Sequence, residues 1–349
     1  MSSGSRLRAA WSLFVFALLV PCSCGLLSTE PQVYVAGYYQ YGKGSQMVAC
    51  YWRGERRTDL TSIEGYAHAR DVFVAGGVVY TAGSTTGGAC YWVGTEQFDL
   101  MGQEATSIVV SEGVVYTSGY SWEDSRNVAC YWVGTERTDL PGGEAGAQAT
   151  SIYVSGGTVY TAGAYSDVPG SQAPCYWVNT ERVDLPYRPD NEQVGYEGRV
   201  YDMTVSDGVV YTAGWYQLGG RGRPCYWRGL DRVDLVEPLI TGETTADSIW
   251  GIARSIYVSD GVVYTCGGLE GYSPLGTFIC YWAGTTTVPL PGVPGHANSI
   301  CVVEDKVYVA GYTTDLEFRP CLWVGTDRTG LDRSGDYDAQ ATSVFVVTR

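Results

Sequence analysis

Short apolar runs separated by tight polar turns fill this chain from Val33 to Val347. Each run is rich in Val, Ile, Tyr, Thr and Trp and has the length of a strand. One stretch shows the plan: Ser151-Ile152-Tyr153-Val154, then Val159-Tyr160-Thr161-Ala162-Gly163, then Cys175-Tyr176-Trp177-Val178, then Arg182-Val183-Asp184-Leu185. No helical period and no heptad interrupts the pattern. Runs one and two are joined by turns such as Ser111-Glu112-Gly113 and Ser206-Asp207-Gly208. Runs three and four are joined by Gly94-Thr95, Gly134-Thr135 or Asn179-Thr180. Gly and Asn tolerate the positive φ that tight hairpins need. The other connections vary in length, and the longest lies between Leu235 and Ala253. Antiparallel strands joined this way put all tight turns on one face and all variable connections on the other.

The four-run unit repeats. Cys-Tyr-Trp recurs at Cys50, Cys90, Cys130, Cys175, Cys225 and Cys280, and Cys321-Leu322-Trp323 is a seventh copy. Spacings of 40 to 55 residues are those of a repeat architecture. The first unit begins at a second run, Val33-Tyr34-Val35-Ala36-Gly37. The chain ends on a lone first run, Thr342-Ser343-Val344-Phe345-Val346. The C-terminus therefore supplies what the N-terminus lacks. The expectation is an all-β fold, a seven-bladed β-propeller of four-stranded antiparallel blades over residues 33–349, with the first blade closed by the C-terminal strand. Strand alternation sends Cys and Trp of each copy to one side of the blade. Residues present in every blade serve the blade, so these Trp and Cys side chains are expected between blades. Equivalent cysteines in neighbouring blades lie too far apart for disulfides. Cys266 and Cys280, on neighbouring strands, are the one pair worth testing.

A net charge of −15 makes phosphate backbones and anionic headgroups poor partners, which argues against nucleic acid. Residues 1–24 differ in kind. Arg6 and Arg8 precede the apolar run Ala9 to Val20, followed by Pro21-Cys22-Ser23-Cys24. That is the anatomy of a secretory signal peptide, with Cys22 and Cys24 as lipidation candidates of the lipoprotein type. Residues 25–32 read as a short linker. The expectation is an exported, cell-envelope monomer that meets a membrane only through a lipid anchor.

No GxSxG, HExxH or phosphate-binding loop is present, and no metal site or cofactor is expected. Asp59, Asp99, Asp139, Asp184 and Asp234 recur singly in the fourth run, which does not make a calcium cluster. The histidines, His68 and His296, read as polar loop residues, and Gly219-Gly220-Arg221-Gly222-Arg223 as a mobile loop. What departs from the repeat is more informative. The variable face carries Tyr38, Tyr39, Tyr120, Trp122, Tyr165, Trp215, Tyr216 and Tyr312 after second strands, and Trp250 between blades. These aromatics either form a binding surface for a protein or glycan, or pack the loops onto the disc. A carbohydrate-active enzyme using loop carboxylates such as Asp190, Glu192 or Glu197 is the alternative, and a purely structural envelope protein is the third reading.

The unit Thr-Ser-Ile-Tyr-Val-Ser-Asp-Gly-Val-Val-Tyr-Thr-Ala-Gly followed by Cys-Tyr-Trp-Val-Gly-Thr resembles the strand order of WD40-type blades, without their Gly-His and Trp-Asp pairs. Over residues 31–349 it resembles more closely a group of uncharacterised bacterial exported β-propeller repeat proteins, whose units end in Ala-Cys-Tyr-Trp-Lys-Asn-Gly. That resemblance implies the fold, an envelope location and a first run lying innermost. It brings no catalytic residues.

Overall fold

The computed structural model describes residues 30–42, 46–62, 65–187, 197–235, 250–272, 276–292, 294–314, 317–332 and 338–348. Within them, strands β1 to β28 form seven four-stranded antiparallel sheets. Six sheets use four consecutive strands. The seventh joins β28 (Ala339–Val347) to β1 (Gln32–Gln40), β2 (Met47–Arg53) and β3 (Arg56–Asp59). The chain ends therefore complete blade 1 together, with Val35 facing Val344 across the join.

The first strands lie innermost. They are β4 (His68–Ala75), β8 (Glu104–Ser111), β12 (Gly146–Ser155), β16 (Gly198–Ser206), β20 (Trp250–Ser259), β24 (Gly295–Val303) and β28. Each contacts the next around the ring, and β28 meets β4 to close it. Turn chemistry follows the sequence. Glu112 and Gly113 have φ of 51° and 78°, the two positive values of a hairpin turn that matches strand twist.

Each repeated Trp is buried between blades. Trp177 packs on Ala129, Tyr131 and Leu140 of the preceding blade. Its indole N–H donates to the Pro141 carbonyl at 2.9 Å, where that blade's fourth strand ends. Trp227 reaches Pro186 in the same way at 2.8 Å, and Trp52 reaches Asp332 at 2.7 Å across the join of blades 7 and 1. The seven repeated cysteines, with Cys266 and Cys301, are buried free thiols, so Cys266 and Cys280 are not bridged. Burial pushes the Cys130 thiol up to about 12, which keeps it in the unreactive form. Cys22 and Cys24 lie outside the described residues.

One irregularity recurs in every blade. The register between first and second strands slips at Arg70, Thr106, Thr150, Tyr201, Arg254, Asn298 and Thr342. Each of these is the extra residue of a β-bulge. Opposite it, on the second strand, stands an invariant glycine of the repeat, as in Thr161-Ala162-Gly163. A Cβ on Gly163 would lie 2.0 Å from the Gln148 carbonyl oxygen, and one on Gly83 would lie 1.9 Å from that of His68. Only glycine permits so close a backbone approach.

Two substitutions test this packing. Trp177→Ala removes a fully buried indole and is expected to cost about 3–5 kcal/mol in urea unfolding. Thr161→Val should be neutral or stabilising. Its Oγ1 is buried without a hydrogen-bond partner, and blades 1 and 7 carry Val35 and Val309 at that place. A loss above about 1 kcal/mol for Thr161→Val would show that the hydroxyl has a structural role.

Candidate functional site at the channel mouth

The bulge residues share one destination. All seven line a cavity of about 400 Å³ at the end of the central channel where the first strands begin, which is the variable-loop face. A bulge bends its strand and re-aims a side chain, and here it turns seven side chains toward the axis. Glu104, Gln148, Arg199 and Gln340, two residues earlier on their strands, complete the wall with Tyr120 and Tyr312 from second strands.

In four blades the bulge side chain is short and structural. Thr106 donates to the Ala149 carbonyl of the next blade at 3.0 Å, and Thr150 to Val200 at 3.1 Å. Asn298 donates to Ala341 at 2.8 Å, and Thr342 to Ala69 at 2.9 Å. Arg70, Tyr201 and Arg254 break this ring of side-chain-to-carbonyl bonds and carry long polar side chains instead, of which Arg70 and Arg254 meet side chains of the next blade, Glu104 and His296. Arg70 ion-pairs with Glu104, whose other oxygen accepts the Tyr120 hydroxyl at 2.7 Å. Arg199 donates to the Gln148 side-chain oxygen at 3.0 Å, and its buried Nε has no partner. The Arg199 and Arg254 guanidinium carbons lie 5.4 and 5.7 Å from the Tyr201 ring centre. Among the described residues the mouth thus carries three arginines and one carboxylate, in a protein of net charge −15.

The next residue of each first strand forms a second tier of five serines with Asp71 and Asp202. Asp71 accepts Ser107 and Ser343 hydroxyls at 2.8 and 2.6 Å, and the Ile108 and Val72 N–H groups at 2.9 Å. Asp202 likewise accepts Ser151 and Ser255 at 2.8 and 2.7 Å, with the Ile256 and Met203 N–H groups at 3.0 and 2.8 Å. Burial pushes both carboxyls above their ordinary range, and these hydrogen bonds partly offset it. The tier ties neighbouring blades together. Further down, Phe73, Tyr153, Tyr257 and Phe345 narrow the channel.

The nine aromatics expected on the variable loops lie on strands. Tyr120 and Tyr312 reach the cavity. Tyr39, Tyr165 and Tyr216 are locked in a repeated clamp instead. Each donates its hydroxyl to the fourth-strand carboxylate, Asp59, Asp184 or Asp234, at 3.0–3.2 Å. Arg57, Arg182 or Arg232 then stacks on the ring within 3.8 Å and binds the same carboxylate. This clamp is what the recurring fourth-strand Asp does in these blades. Trp215 is buried against Trp250, ring centres 4.9 Å apart. Tyr38 packs edge-on against His68 at 4.3 Å. Trp122 alone of the nine is exposed, at 60%. Trp250, expected between blades, opens β20. Gly219 and Gly220 form the turn between β17 (Val209–Leu218) and β18 (Arg221–Arg228), so Arg221–Arg223 belong to a strand and not to a loop. Asp190 and Glu192 lie outside the described residues. Glu197 lines a separate groove with Ser166 and Gln172.

Sequence reasoning missed Arg70, Arg199, Tyr201 and Arg254. For Arg70, Tyr201 and Arg254 the signal was present, because each interrupts a column that otherwise reads Thr or Asn, whereas Arg199 stands in a column with no common residue. The signal is a departure from the repeat within a strand, where loops had been the place to look.

No protein-family model matches the chain, and no curated protein matches it. Solved structures do. A Mycobacterium tuberculosis puromycin-hydrolyzing peptidase superposes with a TM-score of 0.54 at 11% identity, over 86% of this chain and 53% of that one. A protein assigned as a 6-phosphogluconolactonase, from Bacteroides fragilis, gives 0.46 at 12% identity, over 91% and 98% of the two chains. A thermostable family-43 glycoside hydrolase gives 0.40 at 12%, over 66% and 93%. At these identities the likeness concerns the fold alone.

His68 and His296 open the inner strands of blades 2 and 7 rather than sitting in loops. Burial, reinforced by Arg70 and Arg254 respectively, lowers both to about 4 from an ordinary 6.5. Between those values the unfolded chain binds protons that the folded chain does not. Stability from this source is present above pH 6.5 and is lost as pH falls toward 4. A His68→Phe, His296→Phe double variant should therefore lose less melting temperature than the parent between pH 6.5 and 4. Parallel pH curves would contradict that origin.

Proposed function

We propose that this chain is an exported, lipid-anchored, monomeric binding propeller that takes a protein or glycan ligand at its variable-loop face, seated in the channel mouth. The observation that carries the reading is the broken ring. Seven equivalent bulges aim side chains at one cavity, and at three of them the short side chain that bonds the next blade's backbone carbonyl is replaced by a long polar one, Arg70, Tyr201 or Arg254. Concave sites with a few convergent polar groups are where ligands bind. The leader with Arg6, Arg8, Cys22 and Cys24 supports export and acylation, as does the resemblance to bacterial exported repeat proteins.

Glycoside hydrolysis would need two carboxyls facing each other across a pocket. Among the described residues, Glu104 is the mouth's one carboxylate and is ion-paired, while the oxygens of Asp71 and Asp202 are taken up by serine and backbone donors. Binding without turnover accounts for this arrangement better.

A glycan array, with capture from envelope extracts beside it, tests the seat. Tyr201→Ala should weaken any ligand found by about tenfold or more, close to 1.4 kcal/mol. Trp122→Ala should leave it unchanged. The reverse pattern would move the contact surface from the channel mouth to the hairpin between β9 (Val114–Glu123) and β10 (Arg126–Val133).

A further inference from the structure

We infer that the group seated in the channel mouth is the oxyanion of an acidic saccharide, a carboxylate or sulfate held by Arg199 and Arg254. The inference rests on the binding role just proposed and names the ligand's chemistry.

The charge is the first argument. Among the described residues Arg70 has its carboxylate in Glu104, whereas Arg199 and Arg254 meet none. Arg199 contacts a neutral amide, and Arg254 lies 3.4 Å from the His296 ring nitrogen. Two guanidinium groups therefore lie within 5.7 Å of one tyrosine ring centre, and neither has a carboxylate partner among the described residues. A cation partly withdrawn from water costs energy unless something neutralises it. The unpartnered, buried Nε of Arg199 is a donor that the protein itself does not use. A guanidinium fork matches a planar or tetrahedral oxyanion and binds it by two parallel hydrogen bonds.

The rest of the wall selects a sugar over a bare ion. Gln148, Asn298 and Gln340 offer amides, and Tyr120, Tyr201 and Tyr312 offer ring edges and hydroxyls. Amides and hydroxyls suit sugar hydroxyls, while aromatic rings suit C–H faces. A cavity of about 400 Å³ has room for one or two sugar residues rather than for a folded domain. Two carboxylates, Asp71 and Asp202, lie one residue deeper, but both are held by four donors each and do not face an incoming ligand unpaired. The acidic exterior then serves selectivity. It repels extended polyanions, so an acidic sugar enters by its end.

Isothermal titration of the protein with three probes decides this: trigalacturonate, a sulfated galactan trisaccharide and the neutral galactan trisaccharide. One or both acidic probes should bind about tenfold or more tightly than the neutral one, and more weakly at high salt. The tighter of the two identifies carboxylate or sulfate as the source. Arg199→Gln and Arg254→Gln, each checked for an unchanged melting curve, should remove that preference, and Arg254→Lys should restore part of it. Equal binding of the neutral probe, or acidic binding unaffected by either glutamine variant, would overturn the inference. Inorganic phosphate competing as well as the acidic sugars would overturn its saccharide half. A neutral or protein ligand that still depends on Tyr201 would leave the channel-mouth binding role standing while this inference fails. Loss of all Tyr201-dependent binding would remove both.

Discussion

One close contact governs this molecule: a second-strand glycine pressed against the carbonyl of the first strand. It recurs in every blade, from Gly37 against Gln340 to Gly311 against His296. The approach leaves no room for a Cβ, and the strand opposite takes up an extra residue at that point. The bulge reverses which side chains face the channel. Two consecutive residues then matter in two ways: the bulge residue lines the mouth, and the one after it builds the Ser/Asp tier, whose hydrogen bonds join six of the seven neighbouring blade pairs among the described residues.

The ring is closed from two directions. Near the axis, hydroxyls, amides and two buried carboxylates stitch neighbouring first strands together. Farther out, seven indoles fill the gaps between blades, and at least four of them also cap the backbone where the previous blade's fourth strand ends. The indoles repeat in all seven blades, while the inner tier already departs from its serine repeat at Asp71 and Asp202. Individuality enters where the repeat is broken, and the breaks with long polar side chains, Arg70, Tyr201 and Arg254, lie at the mouth of the channel.

The architecture was legible in the sequence because its signals repeat. Cys-Tyr-Trp set the register of seven units, Glu112-Gly113 and its equivalents marked the hairpins, and the unpaired runs at the two chain ends foretold how β28 joins blade 1. The site was legible only in part. Second-strand aromatics looked like loop residues, but the strands run longer than the repeat suggests. Arg–Asp pairs two residues apart on the fourth strand hold Tyr39, Tyr165 and Tyr216 down. Such a clamp depends on which rows of a sheet are adjacent, which composition does not reveal. Arg70, Tyr201 and Arg254 stood in plain view within the first runs. What hid their role was parity: without the bulge, alternation alone does not send them to the channel. The glycine after Thr-Ala was the clue to that bulge.

The central claim is that the channel-mouth departures from the repeat are kept for a ligand and not for the fold. Thermal unfolding of a Tyr201→Thr, Arg254→Thr double variant tests it most directly. Each introduced hydroxyl would be placed to donate to the next blade, as Thr106 and Thr150 do to Ala149 and Val200. The account predicts a melting temperature equal to or above that of the parent. A marked fall would contradict it, because it would show that Tyr201 and Arg254 hold the blades together.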